Sequence, residues 1–380
     1  MTPLRSVPNP TGPGLARYLA YLALAGIVLN GLMALANSKY WDVDFNQFYA
    51  AGKLAGSGHL YDWDSIRSLE LEHSVRAVPF GRIPAFAFAF KPLSAIPYPF
   101  ARIVWLAAGL GALAGFVALW PASSRAWAAV AVCWSAPAAM CLALGQDSVW
   151  FLFFVALGLR LLLRGREFWA GVVLSLCIAK PHLALVLPVF LVAHGKWRSI
   201  LGGLTGGITG LALSFAVEGR EWPSRLLSLT QLPDFDPAPD RMPNLRGLLT
   251  FLGVGLALEL ALALAVIVAV WFLCRRLPLE AAAAVALAAG LLVSHHAYFY
   301  DALMLLPALM LPFGGGYPEW LRKWALVLFT PIPYLFLLID AAWAGHLAIT
   351  GFTLALLGRM AWHRRPWSLE PPHAPAGLPQ

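Results

Sequence analysis

The chain has 380 residues, of which 60% are hydrophobic and only 12% carry a charged side chain. Soluble domains have about twice that charged share, so composition excludes a water-soluble enzyme or binding module. The formal net charge is +8, but the basic residues are scattered between apolar runs, which argues against a nucleic-acid partner. The sequence therefore predicts an all-α polytopic membrane protein.

Apolar runs near the length that crosses a hydrocarbon core of roughly 30 Å recur from Leu15 to Leu357. We interpret them as about twelve transmembrane helices. The predicted spans are Leu15–Ala36, Pro99–Trp120, Ala126–Leu144, Ser148–Leu163, Phe168–Ala179, Leu183–Ala193, Ile200–Val217, Leu248–Cys274, Leu279–Val293, Ala297–Pro312, Trp324–Ile339 and Trp343–Leu357. The first run ends like a signal-peptidase site but exceeds the roughly 7–15 apolar residues of a signal peptide, so we expect a retained helix.

Two of these predicted spans are too short to cross a bilayer alone. Lys180-Pro181-His182 separates them, and proline breaks a helix because it has no backbone N–H to donate. We therefore expect Phe168–Ala179 and Leu183–Ala193 to form a short hairpin buried among other helices.

The basic residues set the predicted topology. With a cytoplasmic N-terminus they gather in the short inner segments, as the positive-inside rule requires. Two long polar segments, residues 37–98 and 218–247, carry most of the acidic residues and are therefore predicted to be extracytoplasmic. Within the first, residues 45–54 and 66–71 have helical spacing and predict helices that lie on the membrane surface.

The chain is predicted to form one domain. Residues 1–363 contain all the predicted spans, whereas residues 364–380 are rich in proline and predict a disordered cytoplasmic tail. No internal repeat is evident, which weakens the case for a transporter built from paired halves.

Asp42 and Asp44 directly follow the first predicted span. Either carboxylate could act at the outer interface as a general base for an acceptor hydroxyl. Alternatively, Asp44 caps the helix that follows and Asp42 is merely solvated. We expect no metal, because a divalent cation needs more oxygen ligands than this pair supplies, although a metal requirement stays open.

Lys180 is an ionisable residue in an apolar, membrane-embedded segment. Such residues need a partner or a function, and an anionic phosphate is a natural partner. The alternative is that Lys180 extends to the outer interface from the top of a short helix.

Further polar residues converge on the same predicted face. Gln146 lies in a short outer turn, Asn244 and Arg246 end the second long segment, and Ser294-His295-His296 opens the tenth span. Adjacent histidines face different ways on a helix, so at most one is expected to point into a site. The alternatives are turn chemistry and histidines satisfied by the backbone.

Several short motifs together resemble glycosyltransferase family 87 of the GT-C superfamily. These bacterial membrane enzymes use polyprenyl-phosphate sugars and include mycobacterial mannosyltransferases. The resemblance covers roughly Ala36 to Pro307 and is carried by Asp42-Val43-Asp44-Phe45, Phe48-Tyr49-Ala50-Ala51, Leu60-Tyr61, Pro84 through Pro92-Leu93, Pro97, Ala101, Trp105, Leu142-Ala143-Leu144-Gly145-Gln146, Ala170-Gly171, Ala179-Lys180-Pro181, Pro243-Asn244-Leu245-Arg246-Gly247 and Ser294-His295-His296 through Tyr300-Asp301. The family often has Ser-Pro-His at the last motif, so His296 is the aligned histidine.

The resemblance implies a GT-C type glycosyltransferase fold and an inverting transfer at the outer face of the bacterial cytoplasmic membrane. It implies a first-loop aspartate as base, and we favour Asp42 because Asp44 is expected to cap the helix. Candidate phosphate and substrate ligands are Lys180, Arg246, His296, His295, Gln146, Asn244, Tyr49 and Asp301.

The implied partners are a polyprenyl-phosphate sugar donor, with mannose as the suggested sugar, a lipid or glycan acceptor, and membrane lipids. No cofactor is expected, because the lipid-linked donor is itself a substrate. The rival functions are a secondary transporter, which would need ionisable residues near the bilayer midplane, and a flippase or polymerase of lipid-linked sugars.

Overall fold

A computed structural model of the chain describes residues 13–36, 38, 41–122, 124–232, 238–314, 316–339 and 341–362. Those ranges contain helices and no strands. A helix satisfies its own backbone hydrogen bonds, which is the simplest way for a chain this apolar to enter lipid. The predicted disordered tail, residues 364–380, lies outside the described residues.

The helices of the N-terminal half are α1 (Pro13–Ala36), α2 (Val43–Leu54), α3 (Trp63–Glu70), α4 (Pro84–Ser94), α5 (Tyr98–Leu119), α6 (Arg125–Trp134), α7 (Ala136–Leu144), α8 (Ser148–Leu163), α9 (Glu167–Ser175), α10 (Pro181–Ala184) and α11 (Leu187–Ala193). A short 3₁₀ helix, Leu176–Ala179, extends α9.

The helices of the C-terminal half are α12 (Trp197–Glu218), α13 (Trp222–Leu229), α14 (Leu245–Phe251), α15 (Leu256–Cys274), α16 (Leu279–Val293), α17 (Leu306–Met310), α18 (Glu319–Phe329), α19 (Ile332–Phe336) and α20 (Ala342–Trp362). Among its described residues this half also contains three 3₁₀ helices: Pro239–Arg241, Phe299–Leu305 and Leu311–Phe313.

Four described helices are long and apolar enough to cross a membrane: α1, α5, α12 and α15. A fifth candidate is the pair α6 and α7, which passes the same test together but bends by 62° at Ser135. The other apolar helices are shorter, so helices of spanning length do not reach the predicted number of twelve. The described part of this membrane protein is thus all-helical, with four or five candidate spans.

Three predicted spans are wrong in detail: Ala126–Leu144 bends at Ser135, Trp324–Ile339 is divided between α18 and α19, and Leu248–Cys274 is also divided. Residues 248–274 do not form one helix, because α14 ends at Phe251 and α15 begins at Leu256. Gly253, with φ +70°, lies in the break. Positive φ suits glycine and ends a helix, but here glycine stands among leucine and valine, so hydropathy alone does not reveal it.

The break at Lys180 is confirmed. The chain passes from the 3₁₀ turn to α10 through Lys180, whose φ of −128° and ψ of 74° are not helical. Pro181 occupies the first position of α10, where its missing N–H is not needed. The interruption turns the Lys180 side chain into the protein, where it is only 3% exposed.

Helices α9 and α12 cross closely because glycines line their contact. A Cβ on Gly171 would lie 1.9 Å from the carbonyl oxygen of Ser199, and one on Gly202 would lie 2.0 Å from that of Phe168. Small residues allow helix backbones to approach in this way inside membranes. The crossing fixes α9, and with it the segment that carries Lys180.

Both predicted helices of the first long segment are present, as α2 and α3. Nearly all of α2 is buried, from Val43 to Gly52, so it packs within the protein rather than lying on its surface. Its partners are aromatic: Phe48 contacts Phe86 and Phe90 of α4 at ring-centroid distances of 5.2 Å. At the centre of the molecule α16 is apolar all round and buried along residues 281–293.

Candidate functional site

A cavity of about 480 Å³ lies between α2, α7, the Lys180 break and the 3₁₀ helix Phe299–Leu305. Its wall combines charged or polar groups with apolar ones. The lining residues are Val43, Asp44, Gln47, Arg76, Val78, Pro79, Gly81, Arg82, Met140, Leu144, Gln146, Lys180, His182, Ala238, Arg241, His296, Tyr298, Phe299, Tyr300, Asp301 and Leu338. Such a mixture suits an amphiphilic ligand.

Asp44 brings a buried carboxylate to this cavity from the first turn of α2. The prediction that Asp44 caps a helix beginning at Phe45 is wrong, because the helix begins at Val43. Asp42 occupies the N-cap position, with φ +64°, and its side chain makes no capping hydrogen bond. The Asp44 side chain is therefore free of a capping role.

Asp42 faces elsewhere. Its carboxylate accepts a hydrogen bond from the guanidinium of Arg102 on α5, and it does not line the cavity. Its backbone N–H donates to the carbonyl of Ala143 at 3.0 Å, which joins the start of α2 to the end of α7. Asp42 thus pairs with Arg102 outside the cavity, whereas Asp44 lines the cavity.

Gly145 explains how the end of α7 and the start of α2 approach so closely. It has φ +77°, and a Cβ there would lie 2.4 Å from the Cβ of Phe45. Its carbonyl accepts a hydrogen bond from the indole of Trp105 at 2.8 Å. This turn leads directly into Gln146 and Asp147 at the head of α8.

Four charged side chains, three of which line the cavity, form a network in its wall. Arg82 contacts Asp147 at 3.2 Å, and Lys180 contacts Asp147 at 3.2 Å and Asp301 at 2.6 Å. The hydroxyl of Ser148 also links Lys180 to Asp301: it accepts a hydrogen bond from Lys180 at 2.7 Å and donates one to Asp301 at 2.5 Å. Two cations and two carboxylates make the network neutral, which is how buried charges are tolerated.

The pKa of Asp44 is raised to about 7. Burial is the largest cause, because desolvation disfavours the charged carboxylate, while the positive charges of Lys180 and Arg82 oppose it. A carboxyl group with this pKa exchanges its proton near neutral pH. It is therefore suited to general base catalysis.

Residues 71–83, which we call the strap, connect α3 to α4 and cover one side of the cavity. Two side chains hold the strap from beneath. Gln47 donates to the carbonyl of Pro79 at 2.6 Å, and the Glu70 carboxyl accepts from the N–H of Val78 at 2.8 Å. Burial raises the pKa of Glu70 to about 9, so it is neutral at pH 7.

Of the two adjacent histidines, His296 lines the cavity and His295 does not. The imidazole of His295 contacts Glu259 of α15 at 2.7 Å. Arg246 donates to the carbonyl of His295 at 2.7 Å, and Asn244 donates to that of Ser294 at 2.8 Å. Asn244 and Arg246, both predicted as ligands, thus hold the segment that carries His296.

A sequence model of glycosyltransferase family 87 matches residues 84–307, more than half of the chain. The chain belongs to this family. No curated protein and no solved structure matches it. This family 87 protein is accordingly a membrane glycosyltransferase, and the matched region contributes Asp147, Lys180, His296 and Asp301 to the cavity or its network.

The structure brings together five of the predicted site residues of this family 87 protein: Asp44, Gln146, Lys180, His296 and Asp301 line the cavity. The other five, Asp42, Tyr49, Asn244, Arg246 and His295, lie outside it. The hydroxyl of Tyr49, for example, donates to the carbonyl of Ile96 at 2.9 Å.

Sequence reasoning missed Arg82 altogether and gave Asp147, Ser148 and His182 no role. Arg82 follows Phe80-Gly81 in an irregular segment, and its partner Asp147 is 65 residues away. No local spacing could reveal that pair. In contrast, a sequence signal exists for Asp147 and Ser148, because they lie in the polar turn Gln146-Asp147-Ser148 between two apolar runs.

Proposed function

We propose that the protein transfers a sugar, with mannose as the first candidate, from a polyprenyl-phosphate donor to a lipid or glycan hydroxyl. The transfer inverts the anomeric centre and takes place at the extracytoplasmic face of the bacterial cytoplasmic membrane. The observation that carries this proposal is the buried Asp44 carboxylate, which shares one amphiphilic cavity with several cationic side chains.

Asp44, rather than Asp42, acts as the general base in this proposal. Its raised pKa of about 7 lets it accept the proton of the acceptor hydroxyl at neutral pH. The oxygen then attacks the anomeric carbon from the side opposite the phosphate. Asp42 pairs with Arg102 and keeps the start of α2 in place.

The leaving group needs no general acid, because a phosphate stabilises the departing oxygen itself. Cationic groups fixed in a low-dielectric site stabilise the growing charge further. Among the predicted phosphate ligands, Lys180 and His296 line the cavity, and the charge of Lys180 is shared with Asp147 and Asp301. Lys180 also acts on Asp44, because its positive charge favours the ionised carboxylate and keeps the pKa of Asp44 from rising further.

The lipid chain of the donor has an apolar path beside this site. Met140, Leu144 and Phe299 line the cavity and also pack in a cluster with Met33 and Ala34 of α1. Helix α1 is one of the candidate spans. The seam between α1 and α7 therefore leads from the cavity towards lipid, and we assign the polyprenyl chain to it.

The test uses detergent-purified protein, synthetic polyprenyl-phosphate mannose and a membrane lipid extract. We expect wild type and Asp42→Asn to transfer the sugar and Asp44→Asn to lose the activity by at least about 10²-fold, as for loss of a general base. A wild type that neither transfers nor hydrolyses this or other polyprenyl-phosphate sugars would overturn the proposal in favour of transport or flipping. Full activity of Asp44→Asn would remove its role as base.

A further inference from the structure

The two buried cations nearest the base are already neutralised. Lys180 contacts both Asp147 and Asp301, and Arg82 contacts Asp147. An incoming phosphate would have to compete with these carboxylates in a site where they are 4% exposed or less. The phosphate therefore needs cationic partners beyond this network.

Two arginines on the cavity wall meet that need. Arg76 lies on the strap and Arg241 ends the 3₁₀ helix Pro239–Arg241. Within the described part of the chain neither forms an ion pair with a carboxylate. The contact found for the Arg241 guanidinium is a long one, 3.4 Å to the carbonyl of Leu338.

Both arginines extend from anchored backbone. The strap is held on either side of Val78 by Gln47 and Glu70, as described above. The turn of Arg241 follows Ala238, which has φ +57°, and the carbonyl of Asp240 contacts His346 of α20 at 2.7 Å. Two segments more than 150 residues apart thus present arginines to one cavity.

A third group on the wall also indicates a ligand. The Nε2 atom of His182 is buried and has no hydrogen-bond partner among the described residues. Its ring stands edge-on to His296, with 5.5 Å between centroids. A buried nitrogen without a partner is unfavourable unless a bound group satisfies it.

We propose that Arg76 and Arg241 form a clamp for a lipid-borne phosphate, with His182 at its inner end. The inference rests on the proposed function, since the ligand is the phosphate of the polyprenyl donor. During transfer the C1–O bond to the phosphate breaks and its electron pair stays on the phosphate oxygen. The acceptor oxygen bonds to C1, and its proton goes to Asp44.

The charge of the phosphate changes in that step. The donor is a phosphodiester with one negative charge, whereas the released polyprenyl phosphate is a monoester that approaches two. The two positive charges of the arginines match the charge of the released monoester better than that of the phosphodiester donor. The clamp therefore stabilises the transition state and the product more than the bound donor.

The experiment measures direct binding of polyprenyl phosphate to the full chain in nanodiscs of neutral phosphatidylcholine. The variants are Arg76→Gln, Arg241→Gln and both together, with Arg67→Gln as the matched control on α3, exposed and away from the cavity. We expect each clamp variant to bind about tenfold more weakly, the double variant more weakly still, and the control as wild type does. Thermal unfolding of each variant checks that it is folded.

Two results separate failure of the clamp from failure of the function. Wild-type affinity in the folded double variant would overturn the clamp while the donor class stands. No binding of polyprenyl phosphate by wild type would overturn the donor class itself.

A second arm distinguishes the donor phosphate from bulk headgroups. The same measurement is repeated in nanodiscs containing phosphatidylglycerol, an anionic phospholipid. Retained binding of polyprenyl phosphate by wild type supports the clamp as a donor site. Loss of binding would show that the arginines serve bulk headgroups and would overturn it.

Discussion

Asp42 and Asp44 are two residues apart but have opposite environments. Asp42 is paired with Arg102, whereas Asp44 is buried at the cavity. The sequence predicts a base within this pair and favours Asp42, whereas we propose Asp44, because the position of the helix start decides which carboxylate lines the cavity. A shift of the helix start from Phe45 to Val43 removes the capping role from Asp44.

The raised pKa of Asp44 predicts how the rate depends on pH. A base must be deprotonated, so kcat/KM should fall as the pH falls through about 7, roughly tenfold for each pH unit below it. Asp44→Glu, if it retains measurable activity, should keep an acid limb at a shifted pH. A pH-independent rate between pH 5 and 8 would contradict the role of Asp44 as base.

The same shift predicts an effect on stability. The pKa of Asp44 is higher in the folded than in the unfolded protein, so its ionisation destabilises the fold increasingly from about pH 4 and fully above about 7. We expect Asp44→Asn to melt at a higher temperature than wild type at pH 8, with a smaller difference at pH 5. Thermal unfolding in detergent at both values measures this, and Asp42→Asn serves as the control.

The neutral network makes Lys180 and Asp301 dependent on each other. Lys180→Met leaves two buried carboxylates facing Arg82 alone, and breaking a buried pair in this way typically costs about 3–5 kcal/mol. The double variant Lys180→Met, Asp301→Asn restores neutrality, so it should recover much of the folded yield but not the activity. If the double variant is less stable than the single one, the charges do not compensate each other. Size-exclusion profiles and melting temperatures supply the comparison.

At the scale of elements, the sequence predicted where helices occur better than where they end. Apolar runs give the positions of α1, α5, α12 and α16, since each long run must be solvated by lipid or by other apolar helices. The break at Gly253 and the bend at Ser135 lie within apolar runs, so hydropathy could not find them. Both depend on individual residues: Ser135 caps α7 by accepting a hydrogen bond from the N–H of Ala138, and Gly253 adopts a φ of +70°.

The close crossing of α9 and α12 requires glycine, which has no side chain, at the points where the two backbones meet. We expect Gly202→Ala to force these helices apart, lower the stability by about 1–3 kcal/mol and weaken activity through the displaced Lys180 segment. Gly207→Ala is the matched control on the same helix, because a Cβ there meets nothing within 4 Å. Equal melting temperatures of the two variants would show that the close crossing does not contribute to stability.

At the scale of the whole molecule, the predicted topology decides which side of the membrane the cavity faces. The strap and the Arg241 turn belong to the two long segments that charge bias predicts to be extracytoplasmic. A reporter inserted at the exposed turn after His59 should therefore report the outside. The same reporter after Gly165, between α8 and α9, should report the cytoplasm, and the reverse pattern would move the site to the inner face.

The charge network also has a consequence for how the protein is made. Its members follow one another along the chain at Arg82, Asp147, Lys180 and Asp301, so the last carboxylate leaves the ribosome only after most of the chain. Until then two cations share a single carboxylate, and an unbalanced positive charge remains among apolar helices. A truncated chain that lacks Asp301 therefore keeps an uncompensated positive charge, and the last partner to be synthesised completes the charge balance of the network.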